Sequence, residues 1–123
     1  MKLIFLLTAI FFAAFCQPAV DVKEASPTET RDIVAKGGAQ FIDVRTPEEY
    51  ASGHAPSAVN IPLDTIYDKL PSLKKDEPIY VICQTGKRSK KAAEILANNG
   101  FSAVYNVAGG TAGWVKDGLK LQE

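Results

Sequence analysis

The sequence predicts an α/β domain in which helices flank a mostly parallel central sheet of about five short strands. Two features predict this class. Short apolar runs typical of strands alternate with segments that carry helix caps or helical spacing. The run Ile79-Tyr80-Val81-Ile82-Cys83 is apolar throughout, which is typical of a strand covered on both faces, as in parallel sheets.

The first predicted helix begins in the segment Ser26-Pro27-Thr28-Glu29. Ser26 is expected to cap it, proline fits its first turn, and Glu29 completes a capping box. We expect this helix to run to about Lys36, where Gly37-Gly38 ends it. Phe41–Val44 then follows as a short buried strand.

The next segment repeats this order. Thr46-Pro47-Glu48-Glu49 has the same cap residues and predicts a short helix that ends near Gly53. Ala58–Ile61 predicts a second strand. Asp64 is expected to cap a helix that runs through Leu70.

The second half contains the strongest strand, Ile79–Cys83, and two further helices. Ser89–Asn98 has apolar residues at helical spacing, with Gly100 as its stop. Ala103–Val107 predicts the last strand, and Thr111–Asp117 a closing helix.

The N-terminal segment, residues 1–19, resembles a secretory signal peptide. Lys2 precedes the apolar stretch Leu3–Phe15, and small residues follow. This stretch is too short for a membrane-spanning helix, which needs about 20 apolar residues. We therefore predict an exported protein without a membrane span, located in the periplasm, with secretion as the alternative.

Cleavage after Cys16 or after Ala19 fits the small-residue zone, and residues 20–123 are then the mature domain. Lipid attachment at Cys16 is an alternative, but the residue before a lipidated cysteine is normally small and here it is Phe15. If Cys16 leaves with the signal peptide, Cys83 is the only thiol, and no intrachain disulfide can form.

The charge of the chain limits its partners. Its 14 basic and 14 acidic residues balance, and loss of Lys2 with the signal peptide leaves one acidic residue in excess. A near-neutral surface argues against nucleic acid or an anionic membrane as the main partner.

The loop after Ile79–Cys83 has the composition of an anion-binding site. Cys83 lies at the carboxyl end of this strand. In open α/β folds, ligands bind in the crevice outside the carboxyl ends of the strands. A helix that starts soon afterwards directs backbone N–H groups and its dipole at the same point. The loop also supplies a flexible turn, two cations and two hydroxyl groups, from Gly86, Lys87, Arg88, Thr85 and Ser89.

These surroundings favour the thiolate, so we expect a lowered pKa for Cys83. The competing interpretation is an inert cysteine at a buried strand end beside an incidental basic helix start. The loop contains no Asp or Glu, and the only histidine, His54, is distant in sequence and more typical of a polar turn residue. A cysteine hydrolase needs a base beside its nucleophile. A reaction whose nucleophile is already ionised, and whose leaving group needs no proton, does not need such a base. We expect neither a metal nor a cofactor.

At this point four segments resemble the rhodanese family, in the family's order. They are Phe41–Tyr50, Gly53–Pro62, the active-loop pattern Cys-x-x-Gly-x-Arg-Ser at Cys83–Ser89, and Gly109-Gly110 with Trp114. Together they cover nearly all of the mature chain. The signal peptide on a single domain also resembles small periplasmic thiosulfate sulfurtransferases. Two residues depart from the family pattern: Ala55 replaces a larger aliphatic residue and Ser57 replaces a common glycine, which leaves the packing of this turn open.

The resemblance implies a sulfurtransferase in which Cys83 takes a sulfur atom from thiosulfate as a persulfide and passes it to cyanide or a small thiol. It implies that the donor is cradled by the active loop, formed by Gln84, Thr85, Gly86, Lys87, Arg88 and Ser89. Asp43 and Arg45 correspond to positions that support the architecture around the loop. The physiological donor and acceptor and the oligomeric state stay open.

Two alternative functions are a cysteine phosphatase or arsenate reductase, and a non-catalytic carrier or sensor. Cysteine phosphatases and arsenate reductases with resembling folds have one more residue in the loop, whereas four residues separate Cys83 from Arg88 here. The shorter spacing favours sulfur over phosphorus. A non-catalytic persulfide carrier or sensor would have the same loop and remains an alternative.

Overall fold

The computed structural model describes residues 21–123, and within them the sheet has five parallel strands in the order β1-β5-β4-β2-β3. The strands are β1 (Val22–Ala25), β2 (Gln40–Asp43), β3 (Val59–Asn60), β4 (Ile79–Ile82) and β5 (Val104–Val107). The α-helices are α1 (Pro27–Lys36), α2 (Pro47–Ala51), α3 (Ile66–Lys69), α4 (Lys87–Asn98) and α5 (Gly110–Lys116). Single 3-10 turns, Leu63–Thr65 and Leu70–Ser72, flank α3. The predicted α/β class with a parallel sheet is confirmed.

The central strand β4 is buried along its whole length, and its alternating side chains divide the core in two. Ile79, Val81 and Cys83 face the cluster that includes the buried side of α4. Tyr80 and Ile82 face the opposite cluster, which contains Trp114 of α5. Cys83 is thus the last residue of the row that packs under α4, and this places its sulfur at the start of that helix.

The helix starts follow the predicted caps at Ser26 and Thr46, with two exceptions. The Glu29 N–H donates to Ser26 Oγ at 3.1 Å, but the Glu29 carboxylate does not accept from the Ser26 N–H in return, so the predicted capping box is only half formed. The full capping box forms between Thr46 and Glu49. The prediction that Asp64 caps a helix is wrong. Asp64 lies inside the 3-10 turn, and Pro62, which precedes that turn, makes no side-chain cap.

The first strand, β1, is absent from the sequence prediction. It lies at the sheet edge and pairs with β5, and two of its four residues, Lys23 and Glu24, are exposed charges. An edge strand has fewer buried positions, so its apolar pattern is weak. Its pairing with β5 sets Glu24 beside Asn106.

The turn after α2 accommodates both departures from the family pattern. Ala55 is fully buried, so the small side chain fills a closed position. Ser57 has φ of +70°, in the left-handed region that glycine adopts more readily. The turn therefore keeps a glycine-like backbone with a serine in it.

Among residues 21–123, no helix is long and apolar enough to cross a membrane. The predicted signal peptide and the alternative lipid site at Cys16 lie outside the described residues.

Candidate active site

Cys83 lies directly after β4, at the bottom of the turn that leads into α4, and its side chain is 1% exposed. Gly86 caps α4 with φ of +103°, a conformation that L side chains rarely adopt. This glycine turns the chain so that α4 begins at Lys87, two residues earlier than its apolar spacing predicts. Cys83 is therefore only four residues before the first turn of the helix.

The sulfur atom accepts hydrogen bonds from the loop around it. The Gly86 N–H lies 3.1 Å and Ser89 Oγ 3.2 Å from Sγ. Burial raises the pKa of Cys83, but bonds from the Ser89 hydroxyl and from backbone N–H groups of Ser89, Gly86 and Thr85 outweigh it, so the pKa is lowered overall. The loop thus favours a thiolate at a nearly buried position.

The start of α5 fixes the other side of the loop. The Thr111 N–H and hydroxyl both donate to the Cys83 carbonyl, at 2.8 and 3.0 Å, and the Ala112 N–H donates to the Gln84 carbonyl at 3.1 Å. Gly110 packs so closely that a Cβ there would lie 2.5 Å from the Cys83 oxygen. With these carbonyls held by α5, the loop N–H groups are free to face the sulfur.

Asp43 and Arg45 form a buried ion pair beside the loop. The Arg45 guanidinium donates to both Asp43 oxygens at 2.9–3.1 Å and to the Gly53 carbonyl at 2.7 Å. Its Nη1 also lies 3.3 Å from Gln84 Oε1. The pair therefore links β2 to the turn after α2 and to the first loop residue.

Arg88 is held by a carboxylate that the sequence analysis did not identify. Glu49 of α2 accepts from both Arg88 terminal nitrogens, at 2.7 and 2.9 Å. The hydrogen bond from Arg88 lowers the pKa of Glu49 to about 2, against a smaller effect of burial. The same bond raises the pKa of Arg88. One of the two cations expected at the loop is thus paired with a carboxylate. The only feature of the sequence that could have indicated this pair is the run of two glutamates after Pro47.

The other loop residues differ in position. Gln84, Thr85 and Lys87 are exposed at the mouth, and Lys87 makes no ion pair among the described residues. Ser89 is fully buried behind the sulfur. The structure therefore gathers the predicted loop residues around Cys83 Sγ. Ser89 lies beneath the sulfur, and the three exposed residues surround the opening of the loop.

Behind Ser89 lies Asn106 of β5, 4% exposed, which the sequence analysis did not single out. Ser89 Oγ lies 2.5 Å from Asn106 Oδ1, and Asn106 Nδ2 lies 3.2 Å from a Glu24 carboxylate oxygen. Asn106 falls within a strand predicted from apolar residues, so its sequence context gives no signal of a contact with the loop.

His54 contacts Tyr50 and Gln122, which lie outside the loop. Its ring stacks on Tyr50 with centroids 3.7 Å apart, and Nδ1 contacts the Tyr50 carbonyl at 3.0 Å. Within residues 21–123, no group of three or more His, Cys, Asp or Glu side chains is placed to hold a metal ion. Such an arrangement can hold an anion beside a stabilised thiolate.

Comparison with known proteins gives concordant matches. A family model described as a Rhodanese-like domain matches residues 26–117. The uncharacterized protein YqhL of Bacillus subtilis is 42% identical over 76 residues, which span 62% of this chain but only 60% of that protein. Thiosulfate sulfurtransferase GlpE of Actinobacillus pleuropneumoniae serotype 3 is 32% identical over 80% of this chain and 92% of its own length. The structure titled human single-domain sulfurtransferase TSTD1 superposes with a TM-score of 0.71, at 30% identity, over 76% of this chain and 95% of that one.

Proposed function

The chain belongs to the family of rhodanese-like domains, and on this premise we propose that it is a sulfurtransferase that uses thiosulfate or a related donor. The name of its relative GlpE supports the choice of donor. The observation that carries the proposal is the placement of Cys83 Sγ under the Gly86 N–H and the Ser89 hydroxyl, with a lowered pKa.

The reaction has two displacement steps. The Cys83 thiolate attacks the outer sulfur of thiosulfate, the S–S bond of the donor breaks, and its electron pair leaves with sulfite. Cys83 then carries a persulfide anion. An acceptor such as cyanide or a small thiolate attacks the outer sulfur of this persulfide, and the Cys83 thiolate is restored as the leaving group.

No general base is required in either step, because the nucleophile is already ionised and sulfite leaves without a proton. This agrees with the surroundings of the sulfur, because the two groups that hydrogen-bond to it, the Gly86 N–H and the Ser89 hydroxyl, are donors. The carboxylates of Glu49 and Asp43 are both occupied by arginines, Arg88 and Arg45.

In this proposal different parts of the loop bind the donor and attract it. Backbone N–H groups from Gln84 to Arg88 surround the transferred sulfur and the sulfonate, and the exposed Lys87 and the partly paired Arg88 attract the dianionic donor. Asp43 and Arg45 support the loop through Gln84.

Steady-state kinetics test the proposal. Thiocyanate formation from thiosulfate and cyanide should give parallel lines in double-reciprocal plots, because the persulfide separates the two steps. Cys83→Ser should remove the activity, and Lys120→Ala, at the exposed C-terminus, should leave it unchanged. Intersecting lines, or activity retained by Cys83→Ser, would contradict the persulfide route. Hydrolysis of an aryl phosphate that depends on Cys83 would favour a phosphatase, and persulfide formation without turnover would favour a carrier or sensor.

We also propose that the protein is exported to the periplasm. The support is the composition of residues 1–19. N-terminal sequencing of the protein from a periplasmic extract should begin at residue 17 or residue 20. A protein that keeps its leader in the cytosol would contradict export.

A further inference from the structure

A row of buried polar side chains extends from the sulfur to the edge of the sheet. Ser89 Oγ lies 3.2 Å from Cys83 Sγ and 2.5 Å from Asn106 Oδ1. Asn106 Nδ2 continues the row to the Glu24 carboxylate, at 3.2 and 3.4 Å from its two oxygens. The mechanism proposed above uses the first contact and leaves Asn106 without a role.

The orientation of the Asn106 amide is fixed by groups that can only accept hydrogen bonds. Its Nδ2 faces the Glu24 carboxylate and also the Gly86 carbonyl oxygen, at 3.2 Å. Pairing of β1 with β5 sets Glu24 directly beside Asn106. A flipped amide would place Oδ1 against two acceptors, so Oδ1 is the atom that faces Ser89.

The Ser89 hydroxyl has one proton and two candidate acceptors. When Cys83 is a thiol, its S–H can donate to Ser89 Oγ, and the Ser89 proton then belongs to Asn106 Oδ1. When Cys83 is a thiolate, Sγ only accepts, and the Ser89 proton is drawn to the sulfur anion. Asn106 Oδ1 then loses its donor, and a buried acceptor without a partner is unfavourable.

We propose that Asn106 is a positioning residue that controls the acidity of the Cys83 thiol by competing with Sγ for the Ser89 proton. Ionisation sends the thiol proton to solvent and turns the Ser89 hydroxyl from Asn106 to sulfur. The part of this proposal that concerns the persulfide rests on the sulfurtransferase function proposed above. In the Cys83 persulfide the negative charge lies on the outer sulfur, so the Ser89 hydroxyl returns to Asn106. Asn106 thereby favours the two states with an uncharged Sγ over the thiolate.

Other charges also face Cys83, and they are constant in this comparison. They are the cations Lys87 and Arg88 of α4, the ion pair between Asp43 at the end of β2 and Arg45, Glu49 of α2, and Glu24 of β1. A change at Asn106 to an uncharged side chain adds and removes no charge, although it removes the donor that faces the Glu24 carboxylate. An effect on Cys83 that passes through Glu24 would persist when Ser89 is replaced by alanine, so the Ser89→Ala background separates it from the effect of the Ser89 proton.

The test is the pH dependence of Cys83 alkylation by iodoacetamide, followed by peptide mass spectrometry so that Cys16 does not contribute. Asn106→Val removes the acceptor and leaves little room for a replacing water. The Gly86 carbonyl keeps the Lys90 N–H as a partner. The midpoint should move to lower pH, with about a threefold larger thiolate fraction at a pH below both midpoints. Ser89→Ala should move the midpoint to higher pH, and the double variant should equal Ser89→Ala.

An unchanged or higher midpoint in Asn106→Val would overturn the proposal. The proposal would also be overturned if Asn106→Val moved the midpoint of Ser89→Ala by as much as it moves the midpoint of the unaltered protein, because Asn106 would then act without Ser89. If Asn106→Val does not fold, side-chain amide NMR of the unaltered protein gives the answer. The Asn106 NH₂ signals should titrate with the alkylation midpoint and should titrate far less in Ser89→Ala, and equal titration in both would refute the competition. Neither readout uses thiosulfate, so both stand apart from success or failure of sulfur transfer.

Discussion

Replacement of Gly110 by alanine should distort the loop at Cys83 and destabilise the domain. An added Cβ would lie 2.5 Å from the Cys83 oxygen and 2.7 Å from both the carbonyl carbon and the oxygen of Gln84. These atoms are backbone, so they cannot rotate away as a flexible side chain would. The loop would have to shift by about 0.9 Å or more to restore ordinary contact distances, and overpacking of this kind costs about 1–3 kcal/mol.

The shift would also break bonds that hold the loop. Thr111 donates twice to the Cys83 oxygen, at 2.8 and 3.0 Å, and a displacement of this size would weaken both bonds. At about 1 kcal/mol for each bond, overpacking and the two lost bonds together cost about 3–5 kcal/mol, beyond the strain of alanine at positive φ. For a domain of this size that lowers the Tm by roughly 12–40 °C.

Gly118→Ala is the matched control. Gly118 also has positive φ, +80°, but nothing lies within 4 Å of its Cβ position. Urea denaturation of both variants isolates the contact with the loop from the strain of the backbone conformation. Equal stability of the two variants would refute the conclusion that α5 clamps the loop through close packing at Gly110.

Three further predictions concern the charged groups. Asp43→Asn should cost about 3–5 kcal/mol in urea denaturation, because the Arg45 cation stays buried without its partner, and a loss below about 1 kcal/mol would contradict the supporting role of the pair. Arg88→Ala should raise the KM for thiosulfate about tenfold with the fold intact, and Lys87→Ala should raise it less, whereas unchanged kinetics in both would show that backbone donors suffice. Glu49→Gln should lower the Tm at neutral pH by an amount equivalent to less than about 1 kcal/mol, because the pair with Arg88 is partly exposed. The pKa of Glu49 is depressed from 4.5 to about 2, so its stabilisation is complete above pH 4.5 and is lost as the pH falls towards 2, and the Tm difference between the two proteins should shrink over that range.

The sequence was sufficient for the fold class because β4 is buried along its whole length and therefore has a continuous apolar run, and because its neighbours β2 and β5 are also mostly buried. It was also sufficient to bring Cys83 and its loop to the end of that strand. Local chemistry determined both features: helix caps, glycines and apolar runs act over a few residues.

The parts that could not be predicted depend on contacts between distant segments. The Glu49–Arg88 pair joins residues 39 apart, and the contact of Asn106 with Glu24 joins residues 82 apart. Neither has a local pattern, since a glutamate in a first helical turn is expected as an N-terminal charge in any case. The edge strand β1 was missed for a related reason, because only its pairing with β5 gives its charged residues an extended structure.

The most direct test of the central claim, that Cys83 carries the transferred sulfur, is the intact mass of the purified protein after incubation with thiosulfate. The proposal predicts a gain of one sulfur atom in the unaltered protein and in Cys16→Ser, loss of that gain after addition of cyanide, and no gain in Cys83→Ser. An unchanged mass in the unaltered protein, or an added sulfur that persists in Cys83→Ser, would contradict it.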